Sequence, residues 1–155
     1  MRNSFIFRYP KSLVIPGLII LFFSFGRSLS GQTTNASDEY STFESYYKMK
    51  WGYAKEFIDL WKANHYPLLK KAKEHGDIIS IVAEKPKMHS GEDTRWDFRV
   101  IIVYKNVGLA LDHALTDPYK KELYTDLDKL AKDEQYRFTL VLAHWDFLTE
   151  KVELK

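Results

Sequence analysis

Between Phe43 and Leu148 the spacing of apolar residues switches repeatedly between two and three-to-four, and this succession of periods limits the fold more than any single motif. Phe43, Tyr47, Met49 and Trp51 alternate with Glu44, Lys48 and Lys50, which predicts a half-buried strand over 43–51, ended by Gly52. From Tyr53 to His75 the period is helical, with Phe57, Leu60, Trp61, Asn64, Leu68 and Ala72 on one face. Lys70, Lys71, Lys73 and His75 crowd its last turns, where cations suit the helix dipole, and Gly76 terminates it. Pro67 removes a backbone donor inside this helix and predicts a bend around Asn64–Pro67. Strands follow over 77–84 and 95–104, joined by a hairpin loop that contains Pro86, His89, Ser90 and Gly91. In the later strand Trp96, Phe98, Val100, Ile102 and Tyr104 share one face, and Asp97, Arg99, Ile101 and Val103 the other. A short helix is expected over 106–115. Asp117 then caps, and Pro118 opens, a second long helix with the stripe Leu123, Tyr124, Leu127, Leu130 and Ala131. A last strand is expected over 136–148, with Phe138, Leu140, Leu142 and His144 on one side.

This order, βαββαβ, predicts an α+β fold of ferredoxin-like type: a four-stranded antiparallel sheet with its helices on one face. Right-handed crossovers put the first and third strands in the middle. The open face is then expected to carry Ile101, Val103, Val141, Ala143, Trp145 and Phe147, with Asp97, Arg99 and Thr139. An apolar face of that size calls for a partner, and a homodimer packed sheet against sheet supplies one.

Ahead of this domain, Arg2, Arg8 and Lys11 precede an uncharged stretch centred on Leu18–Phe23, and Ser28 and Ser30 follow. The pattern reads as a signal peptide over 1–30, cleaved after Ser30, and hence as export to the periplasm or the extracellular space. Pro16-Gly17 and a length short of the about 20 residues of a bilayer span weigh against a transmembrane helix. An uncleaved segment would be the one route to membrane association. Residues 31–42 are polar and read as a flexible lead-in to a domain over 43–155. Removing 1–30 takes away four bases and no acid, so the formal charge moves from +2 to −2. That excludes a nucleic-acid footprint. With no cysteine, thiol catalysis and thiolate metal sites are excluded as well. No phosphate-binding glycine loop, nucleophile elbow or dinucleotide fingerprint is present.

The helix Glu56-Phe57-Ile58-Asp59-Leu60-Trp61-Lys62-Ala63-Asn64-His65-Tyr66-Pro67-Leu68-Leu69 resembles that of the dimeric α+β barrel superfamily, in its NIPSNAP-like and antibiotic-biosynthesis-monooxygenase-like branch. The likeness runs from Tyr46 to about Phe147. It implies a pocket between helix and sheet. Activities across the superfamily range from haem-degrading and quinol monooxygenases to lactone isomerases, so the site must speak for itself.

A small apolar ligand is expected in that pocket, bound by Trp61, Asn64, His65, Phe98 and His144. Two polar side chains on a sheet-facing helix surface need partners or a cavity. Either Asn64 and His65 point into the pocket, or one of them bonds the Ala63 carbonyl region freed by Pro67. His65 and His144 are the candidates for proton transfer if the protein is an enzyme. No metal is expected, because no ligands occur at tight spacing. No cofactor is expected either, although the resemblance implies that haem could be held by His113, on the short helix. Asp97 and Arg99 form either a polar patch inside a dimer, opposite Thr139 or Arg137, or an ion pair at a sheet end. The readings that compete are a ligand-binding dimer, a monooxygenase-like enzyme and a module that only dimerises.

Overall fold

The computed structural model describes residues 39–149, apart from His89, together with 151, 152 and 154. The expected signal peptide, its cleavage point and His89 lie outside the described residues. Among those described, no helix is long and apolar enough to cross a membrane.

Among the described residues four strands, β1 (Ser41–Met49), β2 (Ile78–Glu84), β3 (Phe98–Tyr104) and β4 (Val141–Thr149), form one antiparallel sheet in the order β2-β3-β1-β4. Five α-helices among the described residues accompany them: α1 (Ala54–Asn64), α2 (Tyr66–His75), α3 (Val107–Leu111), α4 (Asp117–Leu123) and α5 (Leu127–Thr139). This is the ferredoxin-like arrangement, with β1 and β3 central as right-handed crossovers require. Gly76, in the left-handed region at φ 93°, ends α2 as expected.

The core lies between sheet and helices. Met49 and Phe57 are wholly buried there, among Trp61, Ala72, Ile78, Phe98 and Val100. Burying each large side chain of this kind is worth about 1.5–3 kcal/mol.

Several boundaries differ from the sequence expectation. The first strand starts at Ser41, inside the presumed lead-in, and stops at Met49. Trp51 instead lies exposed in a turn where Gly52 takes φ 88°, and the Arg95 guanidinium covers its ring at 4.2 Å. The single helix over 53–75 is two helices, divided at His65. The second long helix is also two, α4 and α5, and Asp126 restarts the latter by accepting from the Lys129 amide at 2.8 Å. Thr116, not Asp117, holds the cap position of α4, without a side-chain bond.

The largest correction concerns 136–140. These residues alternate like a strand, yet α5 runs on to Thr139 and closes with the Leu140 amide donating back to Arg137 and Phe138. Thr139 therefore sits on a helix, not on the open face. An irregularity in the pairing at Lys48/Met49 brings Val141 opposite Met49, so Val141 packs against the core. Trp96 precedes β3 and packs edge-on against Tyr46 at 5.8 Å, away from Phe98.

The open face carries Tyr46, Ile101, Val103, Ala143, Trp145 and Phe147. Tyr46 is its centre, stacked on Trp145 and edge-on to Phe147, both at 5.9 Å. Asp97 and Arg99 do not pair with each other. Arg95 donates to Asp97 at 2.6 Å, and Asp97 accepts from the Met49 amide at 2.8 Å. Arg99 instead bonds Glu84 and the Tyr46 hydroxyl.

Candidate functional site

Pro67 has no N–H to offer the Ala63 carbonyl, so the helix breaks just before it, at His65. The amides of Leu68 and Leu69 then donate to the His65 carbonyl at 3.1 and 3.3 Å and restart the helix as α2. The Tyr124 hydroxyl, just past α4, lies 3.0 Å from both the Ala63 and Asn64 carbonyls. The expected recipient of a local bond was right, but its donor comes from a distant segment rather than from Asn64 or His65.

Beside this break a cleft of about 360 Å³ opens between the helices and the sheet. Phe43, Tyr47, Ile102 and Tyr104 form its floor, and Leu69, Leu115 and Phe138 its walls. The polar lining includes His65, His113, His144 and Arg137. Tyr47 pairs across the sheet with His144, and their rings stack at 4.2 Å with 9° between planes. His144 Nε2 also sits 3.1 Å from Asp146, two residues along the same strand face.

Burial sets the electrostatics. It pushes the His65 imidazole down to about 4, helped by the positive charges of Arg137 and Lys120, so this ring is neutral at pH 7. The Tyr47 hydroxyl is pushed up to about 12, against the opposing pull of Arg137, and Tyr104 likewise to about 12. Both phenols therefore stay protonated and can donate.

Arg137 is 3% exposed, and burial lowers its affinity for its proton without removing it. Its guanidinium lies 5.0 Å from the Phe138 ring and 5.6 Å from Phe57. Among the described residues, no carboxylate forms an ion pair with it and its Nε has no hydrogen-bond partner. Burying one such charge costs several kcal/mol. A desolvated aromatic contact returns about 2, and the nearby α5 C-terminus about 0.3–1. The structure thus carries a buried cation that its own residues only partly compensate.

Of the five residues expected to bind ligand, the structure brings His65 and His144 into this cleft. Trp61 and Phe98 lie behind it in the core, 2% and 3% exposed, with their rings 5.2 Å apart and the Trp61 ring 6.0 Å from His65. Asn64 is buried on the far side of the break, lining a smaller hollow with Leu123, Tyr124 and Leu130, and its Nδ2 is unpartnered among the described residues. His113 reaches the cleft from an exposed loop after α3. No group of three or more His, Asp or Glu among the described residues is placed to hold a metal ion. Sequence reasoning missed Arg137, Tyr47 and Tyr104 as lining residues. Arg137 was legible in the run Leu127, Leu130, Glu134, Arg137, which continues the helical spacing into the segment taken for a strand.

No family model matches this chain, and no curated protein matches it. Solved structures do resemble it. A dimeric ferredoxin-like protein of unknown function from Bacteroides fragilis is 11% identical, over 72% of this chain and 96% of that one, with a TM-score of 0.46. A NIPSNAP family protein from Agrobacterium tumefaciens is 12% identical, over 74% and 95%, with a TM-score of 0.44. Hydroxynitrile lyase from Passiflora edulis is 10% identical, over 76% and 99%, with a TM-score of 0.47.

Proposed function

We propose that this chain is an exported, homodimeric ligand-binding protein that holds a small, largely apolar molecule in the cleft between the broken first helix and the sheet. The cleft carries this reading: apolar walls, a floor of aromatic rings, and a few converging polar groups are the ordinary make-up of a small-molecule site. Export rests on the charged and apolar pattern of residues 1–30. Pairing rests on the open face, where Phe147 is 51% and Val82 45% exposed beside Ile101, Tyr46 and Trp145. A second copy fits best, because the same surface offers apolar centre and flanking Arg99–Glu84 charges to its twin. The Glu56–Leu69 segment supports distant kinship with the NIPSNAP-like and antibiotic-biosynthesis-monooxygenase-like branch.

An enzymatic reading of the same cleft is favoured by one observation, the neutral His65, which could accept a proton from a bound substrate.

The test is a titration of the purified protein with N-phenyl-1-naphthylamine, a neutral probe whose emission rises in apolar surroundings. Saturable enhancement is expected, lost in Ser45→Phe, since Ser45 lines the cleft between Phe43 and Tyr47 on β1 and a larger ring there fills it, with Tm recorded alongside. No enhancement, or enhancement lost only on changing Ile101 of the open face, contradicts the proposal. A Soret band on adding hemin, abolished by His113→Ala, would replace it with a haem protein.

A further inference from the structure

We infer that the cleft takes an organic monoanion, a carboxylate on an apolar body, whose charged end is held by Arg137. This rests on the ligand-binding reading above and names the chemistry of its ligand.

Three arginines lie among the described residues, and two are paired: Arg95 with Glu92 and Asp97, Arg99 with Glu84 and Glu44. Arg137 is the most deeply buried of the three and the only one without a carboxylate among the described residues. It lines the cleft; its Nε is unpartnered inside the protein, and among the described residues its terminal Nη atoms, the ones left to meet a cleft ligand, make no hydrogen bond either. Buried guanidinium groups are ordinarily satisfied by a forked, two-oxygen acceptor, and a ligand carboxylate matches that fork.

The other charged groups on the cleft do not fill the role. Asp146 is engaged with His144, and Asp112 accepts from the Ala114 amide at 2.9 Å. Glu134 lies one turn back on α5 and forms no ion pair with Arg137. Around the cation stand neutral donors, the protonated Tyr47 hydroxyl and the uncharged His65, on an aromatic floor. One fixed positive charge among apolar walls balances a single negative charge. A phosphate dianion would find here neither a second fixed cation nor a glycine-rich loop.

The experiment compares 2-naphthoate with 2-naphthamide, which has the same shape and no charge, by calorimetric titration of the purified protein at pH 7. The naphthoate is expected to bind about tenfold tighter or better. Arg137→Met should abolish this preference, bringing the naphthoate affinity down to that of the amide. Arg137→Lys, which keeps the charge but not the fork, should retain part of it and serves should the Met variant fail to fold. Equal binding of the two probes to the unaltered protein, or a preference that survives in Arg137→Met, overturns the inference while leaving the apolar cleft standing. If neither probe binds, both readings fall together.

Discussion

The Tyr124 hydroxyl sits 3.0 Å from the Ala63 carbonyl, the one acceptor in the first helical segment that Pro67 cannot serve. The helix break is thereby fastened from outside, by a residue 61 positions along the chain. His65, at the break, keeps its place on the cleft because of it. Tyr124→Phe removes only this hydroxyl and should cost about 1 kcal/mol in urea unfolding, with an unchanged denaturant slope. No loss would show that the break holds itself.

Acid should weaken the fold through His65. An unfolded histidine takes up a proton near pH 6.5, whereas the folded one resists until about pH 4. Between those values the unfolded chain binds more protons, so stability falls as pH drops through that window and levels off below it. The loss is up to about 3 kcal/mol. His65→Gln should therefore gain on the unaltered protein when the Tm of each is compared at pH 7 and at pH 4.5. A constant Tm difference would contradict this.

Arg95 closes the sheet end. It donates to the Met49 carbonyl at 3.0 Å, to Asp97 at 2.6 Å and to Glu92 at 3.0 Å, while only 5% exposed. Arg95→Met should cost about 1–3 kcal/mol, since it strands the Met49 carbonyl and leaves Asp97 without its cation. Chemical denaturation measures the loss directly. Asp97→Asn, which keeps a carbonyl oxygen for the Met49 amide, should cost less.

Ile101→Glu places a charge in the middle of the open face without touching the core. In sedimentation velocity at micromolar concentration the unaltered protein should run as a dimer and the variant as a folded monomer. A monomer in both cases would leave the face without its proposed cover.

The sheet was legible in the sequence because alternation in β1 and β3 is strict: each of these central strands buries one face and shows the other. Pro67 likewise announced a disturbance around Asn64–Pro67, although as a bend rather than the division into two helices that the structure shows, and Gly76 announced the end. Residues 136–140 misled because Tyr136, Phe138 and Leu140 alternate with Arg137 and Thr139, and five residues are too few to separate the two periods. With Arg137 taken for a strand residue, its place in the cleft could not be seen. Asn64 and His65 are neighbours in sequence but line different hollows, and which hollow each meets depends on the packing of α4 and α5, which has no local signal. The Tyr124 bond depends on long-range packing and has no local signal.

The account depends most on where a small ligand settles. Amide chemical shifts followed by NMR during titration with N-phenyl-1-naphthylamine test this directly. The expected result is a saturable set of perturbations at Tyr47, Leu69, Ile102 and Ala110, around the cleft. Perturbations confined to Glu44, Ile101 and Trp145 on the open face, or none at all, would contradict it.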